Sequence, residues 1–168
     1  TNVGQVFLER ASKARNDKEE LSKITFRIYK KLLIIGIIGM SVITFWGDSI
    51  FSFVFGNQWI EAGKYAQFMS LWLIFVFASS PISSVFLVLE KQGEFFIWNI
   101  SMLFVRVGII IIGALIQFPP IETILYFSVA SLIFRFAQSL RVLKLSGIKY
   151  SAGILQTLKC IGIIYIPH

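Results

Sequence analysis

Two arginines stand where an arginine is expensive. In this 168-residue sequence Arg106 falls about midway along the apolar run Phe95 to Ile116, and Arg135 lies in the run Ile121 to Leu140, six residues before Arg141. A guanidinium at the centre of a spanning helix costs roughly 2.5–3.5 kcal/mol on insertion scales, so it normally faces a bundle interior or a wet cavity. At about 1.5 Å per residue, Arg135 is roughly 9 Å inside its end of the helix, within snorkelling reach. Arg106 is out of reach of either end. The chemistry such residues offer is anion recognition, because the planar guanidinium matches phosphate oxygens with paired donors. Arg106 and Arg135 are therefore the candidate substrate-binding residues, Arg106 the stronger. The alternative role is structural, an internal pair with an acid or with backbone carbonyls. Asp48 is expected to cap a short helix after Gly47, with a coupling-ion role as its lesser alternative.

Other chemistry is thinly supplied. The one histidine is the terminal His168 and the one cysteine is Cys160, inside an apolar run. Histidine-based catalysis, metal clusters and an internal disulfide have no residues to build on, and Cys160 reads as a small core residue. Phosphate-cradling and nucleophile-elbow motifs (Walker A, GxGxxG, GxSxG) are absent. No catalytic residue, metal site or cofactor is expected, and a carrier is favoured over an enzyme.

The elements that must position the arginines are apolar and long. The chain is 56% hydrophobic with 17 Phe, only 15% charged, and has a mean hydropathy of +0.76. A soluble core of this size cannot hide so much apolar surface, whereas lipid removes the need to hide it. Spans are expected at 32–55, 62–89, 95–116, 121–140 and 152–166, four of them long enough for a hydrocarbon layer about 30 Å thick and the fifth shorter. Ahead of them, residues 1–15 look like the basic end of a helix. Asp17, with Glu20 three residues on, predicts an N-cap of the capping-box kind. The segment from there to Lys31 is amphipathic through Leu21, Ile24 and Ile28, and suits a helix lying in the interface. Gly36 and Gly39 offer close helix approach. Gly56-Asn57 marks a turn, and Pro81, behind Ser79-Ser80, predicts a kink or hinge in the second span. Gly56 and Pro81 are the candidate hinge or packing positions.

Charge orients the bundle. Eight of the 16 Lys and Arg lie in the first 31 positions. Alternate connections (the N-terminal segment, 90–94 and 141–150) hold 12 basic residues, against Lys64 alone in the intervening ones. The rule that cytoplasmic loops are positive places the first set, including residues 1–31, in the cytoplasm, next to anionic membrane lipid. Net charge of +7 without a recognition motif does not point to nucleic acid.

The stretch from Val3 to Glu94 resembles the second half of polysaccharide and O-antigen flippases, in the multidrug/oligosaccharidyl-lipid/polysaccharide (MOP) exporter superfamily. The resemblance is carried by GQVFLERASKARNDKEEL at 4–21, by DSIFSFVFGNQWIEAGKYAQFMSLWL at 48–73 with Phe55, Gly56, Trp59, Ala62 and Gly63 as its core, and by PISSVFLVLEK at 81–91. The later spans match only in length and texture. The resemblance implies an all-α polytopic transmembrane helix bundle, with this chain most of the C-terminal lobe of a two-lobe transporter that works by alternating access. It implies a bacterial inner-membrane protein that moves an undecaprenyl-pyrophosphate-linked oligosaccharide between leaflets for lipopolysaccharide or other surface polysaccharide synthesis, with polysaccharide polymerases as partners. Cavity arginines in such proteins are thought to meet the pyrophosphate; Arg106 and Arg135 fit by type, without a motif to align them. Two rivals stand beside this expectation: a cation-coupled drug or metabolite exporter of the same fold, which would want a buried acid, and a membrane-embedded glycosyl- or acyltransferase, which would want carboxylates or histidines at a membrane face. A non-transporting scaffold is a third.

Overall fold

The computed structural model describes residues 3–165, and the backbone alone at 156, 161 and 163–165. It is all helical: α1 (Val3–Lys13), α2 (Lys18–Phe55), a 3-10 turn (Asn57–Trp59), α3 (Ile60–Ile82), α4 (Ser84–Val88), α5 (Gln92–Ile116), α6 (Pro120–Leu145) and α7 (Tyr150–Tyr165). Four segments are long and apolar enough to cross a membrane: Lys18–Phe55, Asn57–Val88, Gln92–Ile116 and Pro120–Leu145. α7, with 16 residues, is shorter than these. The end of the fifth expected span, and His168, lie outside the described residues.

The expected cap is present. Asp17 accepts the amides of Glu19 and Glu20 at 2.9 and 3.0 Å. The reciprocal half of a capping box does not form, because the Asp17 amide donates to Ala14 O at 3.0 Å and closes the turn after α1. From this cap α2 runs without a break past Lys31, so residues 18–31 are the base of the first span and not a separate interfacial helix. No Gly or Pro interrupts 18–35. The buried face is Leu21, Thr25, Tyr29 and Leu33, one residue away from the expected Ile24 and Ile28. That rotation brings the Tyr29 hydroxyl to 3.1 Å from Thr157 Oγ1 of α7 inside the core.

α2 and α3 form a tight hairpin. A Cβ on Gly36 would sit 3.3 Å from Ile74 O, and one on Gly63 only 2.5 Å from Asp48 Cα, whereas Gly39 has nothing within 4 Å. Small residues let backbones touch in this way, and polar side chains then reach across. Thr44 Oγ1 and Ser70 Oγ are 2.6 Å apart. The separate short helix expected after Gly47 does not form: α2 kinks at Trp46 (φ −126°, ψ 17°) and continues to Phe55. Gly56 turns the chain with φ 99°.

Near Pro81 the helix is interrupted at a single residue, Ser83, which itself keeps helical dihedrals (φ −60°, ψ −20°). α3 ends at Ile82 and the five-residue α4 follows. Ser83 closes the joint by donating its amide to Ser79 O at 2.9 Å and its hydroxyl to Ser80 O at 2.6 Å. Glu90 then takes a left-handed conformation (φ 56°), and the Lys91 amide donates to Phe86 O at 2.7 Å.

Ion pairs gather the basic connections at one end of the bundle. Arg15 bonds Glu90 at 2.8 Å, and Arg141 holds Glu94 with two prongs, one at 3.0 Å. Gly147 lies against Lys18 O and Ser22. The N-terminal segment, the 90–94 turn and the 141–150 loop are thus neighbours, as an alternating thread requires. α5 lies at the outside: Met102 and Gly113 are its buried residues, while Phe104 and Leu115 are more than two-thirds exposed. Such a helix is stable where its surroundings are lipid.

Candidate functional site

The site is built from α3, α5 and α6. α6 carries a polar stripe at helical spacing: Ser128, Ser131, Arg135 and Gln138, with Ser139 beside it. Steps of three and four residues put these on one face. That face is turned inward, where Ser128, Ser131, Gln138 and Ser139 are all buried. α5 brings Arg106 to it about 21 Å along its axis from Gln92, at about 1.5 Å per residue. α3 supplies Trp72.

Arg106 donates from Nε to Ser131 Oγ at 2.9 Å. Its guanidinium carbon lies 4.5 Å from the centre of the Trp72 ring and 4.9 Å from that of Phe127. Arg135 donates from Nη1 to Gln138 Oε1 at 2.9 Å. Both side chains are half-buried and line one groove of about 310 Å³, with Phe96, Asn99 and Met102. Among the described residues no carboxylate pairs with either arginine. Arg106 Nη2 and Arg135 Nε are buried without an acceptor, and so are Trp72 Nε1 and Ser128 Oγ. Four of the six buried side-chain atoms that lack a hydrogen-bond partner among the described residues fall in this region. Buried polar groups are normally satisfied, so a cluster of unsatisfied donors marks a place for water or for an anionic ligand.

Both candidate arginines therefore belong to one site. Gly56 and Pro81 do not join it. Gly56 is at the α2–α3 turn, and Pro81 lines a separate cleft with Leu8, Phe77 and Ser84, against α1. Asp48 sits at the α2 kink, where Oδ1 takes the Ser49 amide at 2.7 Å and Gln67 Nε2 at 3.3 Å, a local clasp in place of the expected cap. Cys160 is buried in the main apolar core with Tyr29 and Leu33. Among the described residues no three His, Cys, Asp or Glu side chains converge to hold a metal ion.

A second groove, about 660 Å³, opens between α2, α3, α6 and α7 and is lined by Ile37, Phe45, Leu71, Phe75, Leu132 and Leu158. Its threonines, Thr44 and Thr157, already bond Met40 O and Gly153 O. It offers an apolar surface and no polar handle.

Trp72, Ser131 and Gln138 are absent from the sequence expectations. The polar stripe on α6 was available as a signal, since Ser128, Ser131, Arg135 and Gln138 recur at helical spacing in an otherwise apolar run. Trp72 carries no such signal. The chain matches no family model, no curated protein and no solved structure.

Proposed function

We propose that this chain is the arginine-bearing part of a flippase, one that carries a lipid-linked oligosaccharide through its anionic diphosphate head. One observation carries the reading: Arg106 and Arg135 line a common groove at membrane depth, and no carboxylate among the described residues neutralises either. An unpaired cation there is costly and is retained where an anion comes to it. Guanidinium is suited to the task, since its fork holds phosphate oxygens with geometry as well as charge.

Ligand recognition and release is the only work asked of the residues, and no covalent bond changes. The anionic head exchanges its hydration for the donors of Arg106 and Arg135. The lipid tail remains in an apolar setting, for which the exposed flank of α5 is suited. The cytoplasmic side is the one that carries Arg15, Lys91, Arg141 and Lys144, and the host is bacterial on the strength of the resemblance to O-antigen flippases. An exporter coupled to Na⁺ or H⁺ would use a buried acid, and no Asp or Glu is among the buried residues described.

The test is Arg106→Ala at the chromosomal locus, with surface glycan as readout and membrane-inserted protein measured in parallel. Export is expected to fall at least ten-fold, equivalent to about 1.4 kcal/mol or more of lost recognition. Arg106→Lys keeps the charge, loses the fork, and is expected to fall between. Normal export at normal protein level removes Arg106 from the function.

A further inference from the structure

Arg106 holds its charge at membrane depth without a carboxylate, and the structure shows what stands in for one. Its guanidinium lies over Trp72 and Phe127. These two rings meet edge to face, with centroids 6.4 Å apart and planes at 72°, so they form two walls of a partial cage. Aromatic faces are negative and attract a cation, more strongly when water is excluded.

A ring and a carboxylate satisfy a guanidinium in different ways. A carboxylate takes the N–H edge and consumes its donors. A ring attracts the cation without supplying an acceptor oxygen. Here Nε is spent on Ser131, while Nη2 is buried with no acceptor. The Trp72 Nε1–H is a second buried donor without an acceptor, and the hydroxyl of Ser128, a residue only 2% exposed, is a third. The wall that stabilises the cation thus brings an unspent donor of its own.

We propose that Trp72 is the positioning residue of an anion site on Arg106: with Phe127 it holds the guanidinium carbon within 5 Å of two ring centres, leaving Arg106 Nη2 and the Trp72 Nε1–H for the oxygens of a phosphate-class anion. The proposal rests on the anion reading of Arg106 above. It adds that the recognition unit is an arginine–tryptophan pair, in which the indole keeps the arginine oriented when no ligand is present.

The experiment uses the full chain in lipid nanodiscs with Trp46, Trp59 and Trp98 replaced by Phe, so that Trp72 is the sole indole. Without ligand, Arg106→Gln is expected to shift Trp72 emission, because a cation leaves its ring. Inorganic pyrophosphate is expected to change the parent's emission saturably and to leave Arg106→Gln unaffected. Radiolabelled pyrophosphate then reports affinity in Trp72 variants: about a ten-fold loss in Trp72→Leu, which lacks both face and donor, and about three-fold in Trp72→Phe, which lacks the donor alone. Should Trp72→Leu fail to fold, Trp72→Phe decides the matter, since it keeps the bulk. Unchanged Trp72 emission in Arg106→Gln overturns the cage. Parent-like pyrophosphate affinity in Trp72→Phe, and in Trp72→Leu where it folds, overturns the positioning role. Emission that moves in Arg106→Gln while the parent ignores pyrophosphate overturns the anion reading itself and leaves the cage as packing.

Discussion

Gly63→Ala is the substitution the hairpin should tolerate least. A methyl group there would lie 2.5 Å from Asp48 Cα, 2.6 Å from Gly47 O and 2.8 Å from Asp48 N. All three are backbone atoms of α2, so no side chain can swing away. Comfortable carbon contacts are about 3.5–4.0 Å, so the two helices must part by roughly 1 Å. Overpacking of this kind costs about 1–3 kcal/mol. Parting α2 from α3 also strains the Thr44–Ser70 bond one to two turns away, and an interhelical bond in a membrane bundle is worth about 0.6 kcal/mol. The expected total is about 2–3 kcal/mol, against which Ala's better helix propensity returns under about 1 kcal/mol. The assay is SDS-titrated unfolding of the protein refolded in mixed micelles, read by circular dichroism. Gly39→Ala is the control, because a methyl there meets nothing within 4 Å and should be neutral or slightly stabilising. Equal midpoints for Gly63→Ala and the parent, or an equal loss in Gly39→Ala, would refute the close-approach reasoning.

The two ion pairs at the basic end should differ in worth. Arg141→Gln leaves Glu94 about a quarter exposed and without its two-pronged partner, so a loss of about 1–3 kcal/mol is expected in the same unfolding assay. Arg15→Gln breaks a pair whose side chains are about half or more exposed, and should cost under about 1 kcal/mol. Glu90→Gly should raise stability by about 0.5–1 kcal/mol, since a left-handed conformation costs an L-residue roughly 1–2 kcal/mol and the exposed Arg15 pair returns less; a fall in the midpoint would show the pair to outweigh the strain.

The sequence carries long-range information unevenly. Apolar run length reveals the spans, because a spanning helix must match the thickness of the hydrocarbon. The Asp17 cap is legible because it is local. The alternation of basic connections is legible too, and the Arg15–Glu90 and Arg141–Glu94 pairs place those connections together. The unbroken course of α2 through Lys31 is not legible, since a change from polar to apolar composition looks like a boundary although the backbone has no reason to stop. The Gly47–Gly63 contact escapes for another reason: it depends on two helices meeting at one height, and periodicity along either says nothing of height. Within the site, the depth of Arg106 is readable from its place in the run. Its partners Trp72 and Ser131, 34 and 25 residues away, are set by which helices become neighbours.

Direct binding of radiolabelled pyrophosphate to the nanodisc-held chain is the most immediate measure of whether Arg106 and Arg135 make an anion site. Saturable binding is expected, weakened at least ten-fold by Arg106→Ala and by Arg135→Ala separately, and unmoved by Arg15→Ala at the far basic end. Binding that survives both groove substitutions, or that disappears with Arg15→Ala instead, would contradict it.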